Sequence, residues 1–188
     1  MSHEKGIVLK KNGFTVWELI LSVVIIGILL VLLIPLYLRA KEKAAQKSTM
    51  ADMHMWGEAV ALYIEENSVA PPSPRGMLNY KKTIIKKLTP YLKAIRVVDW
   101  WGHFFYVWTR TGDNWYGIPT TTDKDFIIAS RGKDGLQEGW RYEPENPESG
   151  YFEIKQYKDF EKDLVFWNRK FIRCPKSRKQ LTETQLTN

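Results

Sequence analysis

Hydrophobic positions near the start of the chain form an unbroken run. Residues 19–38 contain no Asp, Glu, Lys or Arg, and most of them are Leu, Ile or Val. A helix rises about 1.5 Å per residue, so a run of this length spans roughly 30 Å, the thickness of the hydrocarbon core of a bilayer. A buried core helix is usually shorter and carries a polar stripe. The run therefore predicts a membrane-spanning helix.

Apolar residues beyond this run keep a helical spacing. Met, Trp, Val and Tyr side chains recur at steps of three, four and three between residues 53 and 63, which places them on one face of an α-helix. The proline-rich segment 67–76 is a helix stop followed by a loop. We therefore expect one helix from about residue 15 to about residue 66, kinked near Pro35.

Short runs of aromatic and β-branched residues dominate the rest of the chain. Helical spacing over residues 81–92 first predicts a short second helix that ends near Thr89. The following runs favour strands, because their residue types fit a pleated, half-buried surface. The expected strands are residues 104–108, 115–118 and 125–130, and a hairpin over 163–173 that turns at Asn168 and Arg169. The pattern predicts an α+β fold: a long N-terminal α-helix, with a membrane half and an amphipathic half, packed on a small antiparallel β-sheet head.

Composition and charge exclude several classes of protein. The 188 residues are 44% hydrophobic and 13% aromatic, which is too rich in apolar groups for a disordered chain. The net charge of +7 is spread along the sequence, so nucleic acid is not an expected partner. Cys174 is the single cysteine, which excludes an internal disulfide and a Cys-based zinc site. Three histidines occur without any recognisable catalytic motif, so we expect no enzymatic activity.

A basic segment with a small motif precedes the apolar run. Three lysines come before Gly13 and Phe14, and Glu18 stands at the edge of the run. A secretory signal would have a shorter apolar region and a small-residue cleavage site, whereas charged residues follow here at 39–43. Basic residues flank both sides, so the charge pattern does not fix the orientation. Glu18 is either a carboxylate at headgroup level or the partner of an amine, from a chain cut before Phe14 or from a neighbouring subunit.

Residues 10–19 (KKNGFTVWEL) resemble the class III leader of type IV pilins and of type II secretion pseudopilins. The shared pattern is a basic leader, a Gly-Phe junction, Thr, a Glu four residues after the Phe, and an apolar helix with a proline, here Pro35. The resemblance implies cleavage between Gly13 and Phe14 by a prepilin peptidase, and N-methylation of Phe14. Trp17 departs from the pattern, because that family usually has an aliphatic residue there.

Later stretches resemble the major pseudopilin family of type II secretion, general secretion pathway protein G. The matching stretches are residues 91–93, 99–106, 130–135 and 163–166. In that family a loop in this part of the head binds calcium, a cation that takes carboxylate and carbonyl oxygens as ligands. Carried over, the resemblance implies Asp134 and Asp163 as side-chain ligands, with Ser130 contributing through its carbonyl.

An insert at residues 140–160 complicates the calcium prediction, because it separates Asp134 from Asp163. The insert could move these residues apart or replace the metal. It could also bring other ligands, from among Glu138, Glu143 and Asp159. A plain Asp-Gly turn at Asp134 is the alternative to a metal site.

As a whole, the resemblance implies a structural subunit of a type II secretion pseudopilus. The precursor would cross the inner membrane once, in contact with lipid, with a cytoplasmic N-terminus and a periplasmic head. After processing it would polymerise into a helical homopolymer, with minor pseudopilins and an inner-membrane assembly platform as partners, and drive export across the outer membrane. Glu18 would pair with the methylated Phe14 amine of a neighbour in that filament. The alternatives are a type IV or competence pilin subunit and a membrane-anchored periplasmic binding module.

The expected organisation has five segments. They are a leader at 1–13, a transmembrane and filament-core helix at 14–38, an amphipathic half-helix at 39–66, a periplasmic head at 67–174 and a flexible tail at 175–188.

Overall fold

A computed structural model describes residues 13–72, 76–79, 83–92, 96–110 and 115–177. The chain divides into two compact units, residues 1–40 and 41–188. The α-helix α1 covers Val16–Asn67 and carries residues of both units. Its bounds lie within one residue of the predicted ones, because both its apolar run and its one-sided spacing are local properties of the sequence.

In the first unit, the described residues are helical from Val16 onward, and Pro35 lies inside the helix. The large apolar side chains between residues 19 and 38 are all exposed. This segment makes α1 long and apolar enough to cross a membrane.

The second unit contains a six-stranded sheet. The strands are β1 Gly76–Met77, β2 Tyr106–Thr109, β3 Phe126–Ser130, β4 Tyr151–Phe152, β5 Leu164–Trp167 and β6 Lys170–Pro175. They lie in the order β1-β2-β3-β5-β6-β4. Neighbouring strands are antiparallel except β4, which pairs in parallel with β6. The sheet is therefore mixed rather than wholly antiparallel, because the insert returns the chain alongside the outer edge of β6.

Both faces of this sheet are covered. On one face, Met53, Trp56 and Val60 of α1 pack in a cluster with Phe105 and Phe166. On the other face, a cluster that includes Trp108, Tyr116 and Ile127 is flanked by Trp140 and Tyr142 from the insert. This arrangement explains why all five residues of β3 are buried.

Two shorter elements differ from the prediction or refine it. The segment expected to be a strand at 115–118 begins as a 3₁₀ turn at Trp115–Gly117 instead. Tyr116 has φ 56° and Gly117 has φ 70°, a left-handed backbone that cannot continue a strand. The second helix, α2, is Thr83–Leu88, and a 3₁₀ turn at Thr89–Tyr91 follows it, so the predicted end near Thr89 is confirmed. Most of the predicted flexible tail, residues 178–188, lies outside the described residues.

Candidate functional site

The start of α1 is closed by a reciprocal cap between Thr15 and Glu18. The backbone N–H and the hydroxyl of Thr15 each donate to Oε2 of Glu18 at 2.8 Å. In return, the backbone N–H of Glu18 donates to the Thr15 hydroxyl at 3.3 Å. This is the T-x-x-E capping box, which satisfies N–H groups that a helix leaves unpaired at its first turn. Glu18 is thus held in a fixed position one turn into the helix.

The Gly13–Phe14 junction lies directly before this cap. Both residues are non-helical and exposed, and Phe14 is 78% exposed. A Cβ placed on Gly13 would meet no other described atom within 4 Å. The peptide bond between them is therefore open on all described sides.

In the head, the motif at residues 99–103 is organised around the buried carboxylate of Asp99. Its Oδ1 accepts hydrogen bonds from the backbone N–H groups of Trp101, at 3.0 Å, and His103, at 2.9 Å. Its Oδ2 accepts the hydroxyl of Ser130 at 2.7 Å. Both Asp99 and Ser130 are completely buried. The motif therefore fixes the fold of the head by joining two loops.

The loop at residues 130–135 is held against the same motif. The backbone N–H of Gly132 donates to the Ser130 hydroxyl at 3.3 Å, and its carbonyl lies 3.1 Å from Nδ1 of His103. A Cβ on Gly135 would lie 2.9 Å from the His103 ring. Asp134, in contrast, is exposed, and its Oδ1 accepts the backbone N–H of Leu136 at 3.0 Å, as in an Asp-Gly turn.

Asp163 belongs to a different group of side chains, which is buried beneath the insert. Its Oδ2 accepts the Tyr116 hydroxyl at 2.8 Å and the backbone N–H of Glu138 at 3.1 Å. The Glu138 carboxylate lies against the guanidinium of Arg173, with Nη2 2.5 Å from Oε2. Burial raises the pKa of Asp163 to about 6, and it also raises the pKa of Tyr116 above its usual value.

These positions allow the donor set to be compared with what calcium requires. The Asp163 Oδ1 oxygen is buried and makes no hydrogen bond with a described residue, which is compatible with a missing ligand. Of the other candidates, Asp134 accepts a hydrogen bond within its own turn. Ser130, which was predicted to contribute its carbonyl, is the last residue of β3 and pairs with Leu164 of β5. Within the described ranges, no three His, Cys, Asp or Glu side chains form a group that could hold a metal ion. The described carboxylates alone therefore fall short of the six to eight oxygen ligands that calcium takes, and calcium binding stays a prediction.

Of the three other ligands that the insert could supply, Glu138 alone reaches Asp163 through a described contact. Asp159 instead caps the 3₁₀ turn Tyr157–Glu161, accepting the backbone N–H groups of Lys155 and Gln156. Glu143 is exposed.

Comparison with known proteins supplies two relatives. The chain is 38% identical over 68 residues to type II secretion system core protein G of Vibrio cholerae, over 36% of this chain and 47% of that protein. It is 32% identical over 68 residues to the core protein G of Aeromonas hydrophila, over 36% of this chain and 48% of that protein. This chain resembles the type II secretion major pseudopilins. The predicted resemblance is thereby confirmed.

The matches span about half the length of these curated relatives. No protein-family model matches the chain, and no solved structure does. The resemblance to the pseudopilins therefore rests on two relatives and on a fold that has the expected long helix and α+β head.

Two features of the site were missed in the sequence. The Thr15–Glu18 cap could have been predicted, because a T-x-x-E pattern immediately before an apolar run is typical of a helix start. The pairing of Arg173 with Glu138 could not have been predicted, because the two residues are 35 positions apart along the chain. Their meeting depends on how the insert folds.

Proposed function

We propose that this chain is a structural, non-enzymatic subunit of a type II secretion pseudopilus. In this proposal it is anchored in the inner membrane through α1, cut after Gly13 by a prepilin peptidase and N-methylated on Phe14. It then polymerises with copies of itself, together with minor pseudopilins and an assembly platform, to drive export across the outer membrane. The observation that carries the proposal is an exposed Gly13–Phe14 junction in front of a helix that is exposed and apolar over residues 19–38, in a chain similar to core protein G.

The exposed apolar segment supports both stages of the proposal. A surface of this size is unstable in water and needs lipid or protein to cover it. Lipid would cover it in the precursor. Neighbouring helices would cover it in a filament, which arises when one surface meets a different surface of the next copy without closing a ring.

The capping geometry gives Glu18 a defined place in this process. Cleavage before Phe14 would create an amine one residue ahead of Thr15, close to the anchored carboxylate. In an apolar filament core, an unpaired charge of either sign is strongly unfavourable. We therefore assign to Glu18 the neutralisation of a Phe14 amine, most simply that of the neighbouring subunit.

Intact mass and N-terminal sequencing of the chain from native membranes test the processing step. The expected product begins at Phe14 and carries one added methyl group. A chain that keeps residues 1–13 in cells with an active prepilin peptidase would contradict the proposal and favour the anchored binding module.

Three variants separate the charge of Glu18 from its capping role. Glu18→Gln keeps a side chain that can complete a capping box but has no charge, whereas Glu18→Ala loses both. Thr15→Val keeps the charge and removes the hydroxyl half of the cap. We expect both Glu18 variants to insert and be cleaved but to assemble poorly, while Thr15→Val assembles. Normal filaments from Glu18→Gln would show that the cap, and not the charge, is what matters.

Deletion of the gene distinguishes secretion from the pilus alternatives. The proposal expects loss of secreted proteins from the medium with twitching motility and transformation unchanged. The opposite pattern would identify a type IV or competence pilin.

A further inference from the structure

Arg173 places a permanent positive charge beside the carboxylates of the candidate calcium region. It lies on β6, and its side chain is 7% exposed. Its Nε and Nη2 atoms lie 2.9 and 2.5 Å from the same Glu138 oxygen, Oε2. An arginine is charged at all physiological pH values, so this group is a resident cation of the head.

Glu138, which holds this cation, is joined to Asp163 by two reciprocal hydrogen bonds. The Glu138 backbone N–H donates to Oδ2 of Asp163 at 3.1 Å, and the Asp163 backbone N–H donates to Oε2 of Glu138 at 3.2 Å. The guanidinium therefore neutralises the Glu138 carboxylate, which also accepts a hydrogen bond from Asp163, the residue directly before β5. One positive group connects β6, the loop after residue 135 and the entry to β5.

The insert supplies the walls around the guanidinium. The ring centre of Trp140 lies 4.9 Å from Cζ of Arg173, and that of Phe152 lies 5.4 Å from it. Aromatic faces at such distances attract a cation and keep water away from it. The insert is also packed tightly on β6, because a Cβ on Gly150 would lie 1.8 Å from the carbonyl oxygen of Ile172.

We propose that Arg173 acts as a built-in cation that takes the place of calcium in this head. The insert at 140–160 completes the site that encloses the guanidinium. Glu138 receives the guanidinium as it would receive a metal ion, and it holds Asp163 beside it through two hydrogen bonds. A calcium ion at Asp163 would be repelled by the guanidinium and would have to displace it from Glu138. The head is therefore stable without calcium, whether or not the chain assembles into a filament.

A calcium titration of the full chain in detergent micelles tests this directly. Unfolding is followed by tryptophan fluorescence on heating, with excess EGTA or with millimolar calcium. A ligand that binds only the folded state raises the unfolding midpoint. We expect the two midpoints to agree within about 1 °C. Calcium binding that stabilised the folded state by about 1 kcal/mol would raise the midpoint measured with calcium by roughly 2–8 °C. A rise of that size would overturn the proposal.

Two arginine variants provide a matched comparison that does not involve calcium. Arg173→Met removes the enclosed cation. Arg169→Met removes a half-exposed arginine that pairs with Glu58 at 2.6 Å and with Glu65 at 3.3 Å. We expect Arg173→Met to lower the midpoint several times more than Arg169→Met, because exposed ion pairs contribute little. Equal effects would contradict the proposal.

A double variant shows whether Arg173 acts through Glu138. If the two residues stabilise the head through their contact with each other, the double variant Glu138→Gln, Arg173→Met lowers the unfolding midpoint by clearly less than the sum of the two single variants. Additive losses would show that Arg173 stabilises the head in some other way. If Arg173→Met does not fold, Arg173→Gln, which also lacks the charge, replaces it, and the calcium titration of the unaltered chain still decides the question.

Discussion

The ammonium group of Lys133 lies 3.0 Å from a carboxylate oxygen of Glu42, which joins the 130–135 loop to the head half of α1. The same carboxylate accepts hydrogen bonds from Nε1 of Trp101 at 2.7 Å and from the Tyr157 hydroxyl at 2.8 Å. One buried glutamate on the helix thus anchors the aromatic motif, the glycine-containing loop and the insert. The motifs that resemble the pseudopilins therefore meet at α1.

Glu42→Gln is expected to destabilise the head by about 1–3 kcal/mol, because it removes the charge that Lys133 faces and one acceptor of the cluster. Thermal unfolding in detergent, followed by tryptophan fluorescence, measures the loss. Glu145→Gln, at an exposed position of the insert, is the control and should have no measurable effect. An equal loss in the two variants would contradict the role of the cluster.

The same carboxylate predicts a loss of stability in acid. Burial acts to raise the pKa of Glu42, but hydrogen bonds from Trp101 and Tyr157 and the Lys133 ammonium outweigh it and hold the pKa below 4.5. A lowered pKa in the folded state adds stability above the unfolded pKa, and this contribution disappears as the pH falls through the folded pKa. The stability advantage of the unaltered chain over Glu42→Gln should therefore shrink as the pH falls below 4.5. A constant difference between the two chains across this range would contradict the assignment.

Gly57 is a point where α1 lies close against the sheet. A Cβ there would lie 2.2 Å from Cε1 of Phe166. Gly57→Ala should gain up to about 1 kcal/mol in helix propensity but lose more through overpacking, for a net loss of roughly 1–2 kcal/mol. The measurement is the unfolding midpoint, with Gly139→Ala as the control, because a Cβ on Gly139 meets nothing within 4 Å. If adding Phe166→Leu to Gly57→Ala partly restores the unfolding midpoint, the contact is confirmed. A Gly57→Ala variant that is more stable than the unaltered chain would exclude the contact.

The predictable parts of the fold are those with local causes. α1 follows from an apolar run and a one-sided spacing, and the turn of the β5–β6 hairpin lies where predicted, with Asn168 at φ 43° and Arg169 at φ 72°. The unpredicted parts depend on tertiary contacts. Tyr116 leaves the expected strand because its hydroxyl reaches the buried carboxylate of Asp163. The parallel pairing of β4 with β6 depends on the path of the insert, which no periodicity in the sequence indicates.

Asp99 should be the most sensitive polar residue of the aromatic motif. Asp99→Ala leaves the half-buried N–H groups of Trp101 and His103 and the buried Ser130 hydroxyl without their acceptor, at a cost of about 3 kcal/mol. Ser130→Ala removes one hydroxyl donor and should cost about 1 kcal/mol. Denaturant unfolding of the two variants side by side checks the order. A larger loss from Ser130→Ala would mean that the serine, rather than the aspartate, organises the two loops.

Cys174 is expected to be chemically inert while the head is folded. It lies on β6, 8% exposed, and burial raises the pKa of its thiol to about 11. At pH 7 only about one molecule in ten thousand would then carry the reactive thiolate. A maleimide reagent should label the chain slowly under native conditions and rapidly in denaturant, and copies should not become joined by disulfides under oxidising conditions. Rapid native labelling, or a dimer that disappears on reduction, would show that β6 opens and would make Cys174 available for contacts between subunits.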